Sequence, residues 1–127
     1  MIADKIISID EECDGEYVGY IIKTNSQTIK VLIENFQRCC EDFGYKIFDE
    51  SKKSIDINSL IDEYISDIQW NQNKEYEMED NVGIYSITIE IVTKINKFYV
   101  QIYNTHNGYY PHNYIVLWNN FNNVGHF

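Results

Sequence analysis

The stretch Ile84-Tyr85-Ser86-Ile87-Thr88-Ile89-Glu90-Ile91-Val92-Thr93 alternates apolar and polar side chains and places Ile87, Ile89 and Ile91 on one face. A period of two marks a half-buried strand, because successive side chains of an extended chain leave opposite faces. Asn96-Lys97 turns the chain into Phe98-Tyr99-Val100-Gln101-Ile102-Tyr103, and Tyr114-Ile115-Val116-Leu117-Trp118 supplies a further strand. Three such runs in succession predict a meander.

Upstream, Tyr17-Val18-Gly19-Tyr20-Ile21-Ile22-Lys23 and Thr28-Ile29-Lys30-Val31-Leu32-Ile33 are rich in β-branched and aromatic residues. Asn25-Ser26-Gln27 between them has turn chemistry, so the pair reads as a hairpin. Residues Met1 to Ile9 offer an earlier strand. The middle is less regular. Ile57, Leu60, Ile61, Tyr64 and Ile65 fall at helical intervals, with Asn58 or Ser59 as cap and Asp62 and Glu63 near the positive end. Ile65-Ser66-Asp67-Ile68-Gln69-Trp70 suits a strand equally well. Residues 71–81 are polar and read as a mobile loop, and the Asn-rich 119–127 as a tail. No repeat or linker divides the chain. The expectation is one domain over residues 1–127, α+β but mostly β, with a single antiparallel meander-like sheet and one or two short helices.

Composition bounds the function. In 127 residues, 44% hydrophobic and 15% aromatic content excludes a wholly disordered chain. No apolar run approaches the ~20 residues of a membrane helix. Met1-Ile2-Ala3-Asp4-Lys5 lacks a secretory apolar segment, so no membrane and a cytoplasmic location are expected. Three cysteines, two of them adjacent, predict reduced thiols. Twenty acidic residues face ten basic ones, of which Arg38 is the one arginine and Lys52-Lys53 the densest point. Direct nucleic-acid binding is therefore not expected, since phosphate neutralisation dominates such affinity. A basic protein surface would complement Asp10-Glu11-Glu12 and Glu79-Asp80.

Chemistry gathers in two motifs. Tyr103-Asn104-Thr105-His106-Asn107-Gly108-Tyr109-Tyr110-Pro111-His112 holds two of three histidines, the one proline and three of eleven tyrosines. Flanked by alternating runs, it reads as the loop of a late hairpin, where recognition residues commonly sit. Phe36-Gln37-Arg38-Cys39-Cys40-Glu41-Asp42-Phe43-Gly44-Tyr45 follows a strand and is expected to cap one end of the sheet. Cys39 and Cys40 must face opposite ways on an extended backbone, and Gly44 suits a positive φ or a close neighbour.

Amides at Asn104 and Asn107 suit flat polar groups, and Tyr103, Tyr109 and Tyr110 offer stacking faces. The candidate ligand-binding set is Arg38, Cys39, Glu41, Asp42, Tyr103, Asn104, His106, Asn107, Tyr109, Tyr110 and His112. No metal ligand is assigned, because neither a Cys-x-x-Cys nor a His-x-x-x-His pair is present. No cofactor is implied. A Cys–His pair or the Glu41–Asp42 carboxylates would suit catalysis, yet the nucleophile elbow, phosphate-binding glycine loop and metalloprotease helix are all missing. No catalytic residue is assigned.

The two motifs, Cys-Cys-Glu-x-aromatic-Gly and Asn-x-His-Asn-Gly-Tyr-Tyr-x-His, resemble a family of small proteins of bacteria and their phages that is catalogued as a domain of unknown function. The resemblance spans about Tyr17 to Leu117, with Pro111 where a small residue is more usual. It implies a small, soluble protein, often phage- or prophage-borne, at work in the host cytoplasm. In that setting the expected function is non-enzymatic binding against host defence, by sequestering a nucleotide-like ligand or covering a basic defence protein. The alternative is a small hydrolase or nucleotide-processing enzyme using His106, His112, Cys39 and Glu41, with or without zinc. Exposed strand edges would also let two copies pair as a homodimer.

Overall fold

The computed structural model describes residues 4–36, 42–77, 82–106, 112–119 and 121–127. Among them run β1 (Ile6–Glu12), β2 (Tyr17–Thr24), β3 (Thr28–Glu34), β4 (Asp42–Asp49), β5 (Ile65–Glu77), β6 (Val82–Thr93), β7 (Lys97–His106), β8 (Asn113–Trp118) and β9 (Phe121–His126). All pairings between these strands are antiparallel. They form two sheets, a five-stranded one in the order β1-β2-β3-β8-β9 and a four-stranded one in the order β4-β7-β6-β5.

The single meander is thereby corrected. β2–β3 and β6–β7 are the hairpins that the turn residues predict. β8, however, does not return to β7; it pairs with β3 and β9 in the other sheet. The Tyr103–His112 motif therefore connects two sheets and is not a hairpin loop. Alternation explains why. Every central strand has one apolar face, and one extended sheet would leave those faces in water. Folding into two layers buries Val18, Tyr20, Ile22, Ile29, Val31, Ile33 and Val116 against Ile47, Ile87, Ile89, Ile91, Phe98, Val100 and Ile102. Tyr20 meets Tyr45 edge-on at 5.4 Å, and Trp70 packs on Tyr114 and Phe121, tying the layers together.

The expected helix shrinks to one 3-10 turn, Ile57–Leu60, capped by Asp56 rather than by Asn58 or Ser59. The Asp56 carboxylate accepts from the Asn58 amide at 3.0 Å. Leu60 is fully buried and plugs that end of the core. Glu63 follows, buried, and its carboxylate accepts from Thr93 Oγ1 at 2.5 Å and Asn96 Nδ2 at 2.8 Å, fastening the turn to the β6–β7 hairpin. Two further expectations change. Residues 71–77 continue β5 instead of forming a loop, and most of the 119–127 tail is β9. Both are edge strands, held by backbone pairing with one neighbour each. The second motif does not cap the sheet either, since its part from Asp42 onward is β4 itself.

Candidate functional site

β4 and β7 bring the described flanks of the two motifs side by side. Asp42 pairs with Thr105, Phe43 with Asn104 and Gly44 with Tyr103. Adjacent residues of β7 then part company, because alternation sends them to opposite faces.

The inward set is packed. Asn104 is fully buried and its Nδ2 donates to the Phe127 carbonyl at 3.0 Å. His112 is 1% exposed, its ring tilted against Phe43 with centroids 4.4 Å apart. Its Nδ1 lies 2.7 Å from the Glu34 carbonyl, an acceptor only, so that nitrogen carries the proton. His112 and Phe127 also exchange backbone hydrogen bonds at 2.9 and 3.0 Å. In this arrangement His112 and Asn104 close one end of the two-layer core over Phe127.

The outward set is open. Asp42 is exposed, and Tyr103 lies across Gly44, where a Cβ would come within 2.7 Å of the phenol oxygen. Gly44 thus serves close approach, with no positive φ. Burial and the Asp42 carboxylate push the Tyr103 phenol above its ordinary pKa, which keeps it a neutral donor. Of His106 the backbone alone is described, paired with Gly83. Arg38, Cys39, Glu41, Asn107, Tyr109 and Tyr110 lie outside the described residues. Among the described residues, no group of three or more His, Cys, Asp or Glu is arranged to hold a metal ion.

Around Tyr103 the sequence reading missed a larger surface. Strand register aligns Phe48, Tyr99, Glu90 and Gln69 in one row across the four-stranded sheet, and Lys46, Gln101, Thr88 and Asn71 in the next. Phe48 and Tyr99 stack with centroids 5.3 Å apart and planes 18° apart. Lys46 Nζ stands 5.7 Å from the Phe48 centroid and 5.6 Å from that of Tyr103, within cation–π range. A hollow of about 200 Å³ is lined by Lys46, Ile47, Phe48, Lys52, Ser54 and Gln101. A second, of about 340 Å³, is lined by Gln69, Trp70, Asn71, Thr88, Glu90 and Tyr99. Gln101 Nε2 donates to Thr88 Oγ1 at 3.0 Å between them.

Lys52 reaches the first hollow from a strained turn. Its φ is +62°, and the other non-glycine residues with positive φ among those described are Asp62 and Asn119, types that tolerate it. The turn is held by Asp49, whose Oδ1 accepts from the amides of Ser51 at 2.8 Å and Lys53 at 3.0 Å. A lysine where glycine would cost less is a pointer to use of the side chain. The available signals were Lys52-Lys53 as the densest basic point and the outward parity of Lys46 and Phe48. No family model matches the chain, and no curated protein or solved structure matches it.

Proposed function

We propose that this chain is a non-enzymatic binding protein that captures a nucleotide-like anion on the outward face of the four-stranded sheet. The observation that carries the reading is the convergence of Lys46 and Lys52 on one hollow walled by Phe48, in a chain of net charge −10. No carboxylate is among the described residues lining that hollow. An acidic protein repels anions at long range, so two lysines gathered at one concave point mark where an anion would be held. Ser54 and Gln101 add hydrogen-bonding groups, and the Phe48–Tyr99 stack adds an apolar face for a ring. These groups bind and orient. His112, of the hydrolase alternative, is turned into the core.

Capture of this kind would withdraw a nucleotide messenger from a host defence protein, a setting that rests on the motif resemblance. The other mode, covering a basic defence protein, rests on the acidic charge alone. The test is to incubate the protein with a mixture of nucleotides, wash, denature and analyse what is released. Intact nucleotide is the expected result. Chemically altered nucleotide would mean catalysis, and no retained nucleotide would remove the reading.

A further inference from the structure

We infer that the second hollow is a base-reading subsite that selects an amino-bearing base, so that the ligand is a nucleoside monophosphate such as the cytidine form. The inference rests on the anion hollow proposed above and extends across the sheet from it. β4 to β5 is three strand spacings of about 4.8 Å, about 14 Å in all. That span suits phosphate, sugar and base in sequence rather than one sugar ring. Phosphate at Lys46, Lys52 and Ser54 would leave the sugar over the Gln101–Thr88 hydrogen bond and the base beside Tyr99.

Two features of the second hollow fix what it would read. First, Phe48 lines one hollow and Tyr99 the other, so a base laid on Tyr99 extends a two-ring stack that already exists. Secondly, one polar group of the lining, the Glu90 carboxylate, only accepts, beside hydroxyl and amide groups that do both. Gln69 Nε2 donates one of its two N–H groups to Asp67 Oδ2 at 2.8 Å, which fixes the amide and leaves Oε1 and the other N–H to offer. Glu90 contributes a carboxylate positioned by Lys97 Nζ at 3.1 Å and by the Tyr99 hydroxyl at 3.5 Å. A carboxylate accepts from the cytosine amino group, whereas uracil presents a carbonyl at the same place and is repelled. Thr88 and Asn71 complete the lining with a hydroxyl and an amide.

Titration calorimetry with cytidine and uridine monophosphates tests this on the full chain. The expected result is a preference for the cytidine form of at least about tenfold, the usual scale for one well-made base contact. Glu90→Gln should bring the preference close to one. Gln69→Ala, at an exposed position whose loss leaves the fold intact, should reduce it as well, while Lys46→Ala should weaken both nucleotides by a similar factor. Equal binding of the two nucleotides by the unaltered protein would overturn base reading and leave the anion hollow standing. Absence of binding by either would overturn both. A preference that survives both Glu90→Gln and Gln69→Ala would overturn the assignment of this hollow.

Discussion

On the outward face of the five-stranded sheet, Gly19, Leu32, Ile115 and Val124 stand in register across four strands. On the outward face of the four-stranded sheet a row of equal length reads Lys46, Gln101, Thr88 and Asn71. Both rows obey the same alternation, and both lie over the same core. Their chemistry is opposite. Leu32 is only 7% exposed although it points away from the core, whereas Val124 on the edge strand is 65% exposed, so the aliphatic row is covered at its centre and open at its rim. The polar row has little apolar area to bury and contributes correspondingly little to stability. Alternation therefore decides which residues face out, and only their identity says which face holds the fold and which meets a ligand.

Substitutions that break one face and spare the other test that division. The largest effect is expected at Gly19, whose φ is +148° and where a Cβ would run into the Val31 carbonyl. Gly19→Ala should cost about 3 kcal/mol in urea unfolding, through backbone strain and displacement of β3. Nucleotide affinity of the protein that remains folded should not change. Leu32→Ala comes next, at about 2 kcal/mol for a truncated buried side chain, again without a change in affinity. Its counterpart Thr88→Ala should stay within about 1 kcal/mol of the parent. Equal losses at Leu32 and Thr88 would dissolve the distinction between the faces. Lys46→Ala reverses the pattern. Stability should hold within about 0.5 kcal/mol while affinity falls about tenfold, the order expected for one charged contact.

Much of the strand pattern was legible because central strands must alternate. Ile87, Ile89 and Ile91, or Val18, Tyr20 and Ile22, have no other way to reach a common core. The partner of β8 was not legible, since inward-facing Tyr114 and Val116 satisfy either layer equally. β5 beyond Trp70 and β9 were missed for a different reason. As edge strands they hold their places through backbone hydrogen bonds, which place no demand on side-chain pattern. The site was half legible. Tyr103 and Asn104 are neighbours in sequence and therefore opposites in space, so the motif that drew attention splits between the core and the open face. Lys46, Lys52, Phe48 and Gln101 converge only once β4 lies beside β7, a pairing between segments some fifty residues apart.

The smallest expected effect concerns the seam between the two sheets, where the comparison of faces should vanish. Asp4 accepts from Ser26 Oγ at 2.7 Å and Gln27 Nε2 at 2.5 Å in the β2–β3 turn, while its carbonyl accepts from the Ile65 amide at 2.8 Å at the start of β5. Burial pushes its carboxyl up, but hydrogen bonds with Thr24, Ser26 and Gln27 together outweigh that and hold it below the ordinary carboxylate value. A folded pKa below the unfolded one gives stability that is complete above the ordinary carboxylate value and is lost as pH falls through the folded one. The contribution is below about 1 kcal/mol, given the partial exposure of the group. Thermal midpoints of the parent should thus drop more steeply than those of Asp4→Asn as pH falls below about 4. Because Asp4 touches both layers, unfolding followed by the emission of Trp70 and Trp118 and by circular dichroism should shift together. Parallel acid profiles for parent and variant would show that the seam is held by the backbone bond of Ile65 and by core packing, with no share from the carboxylate.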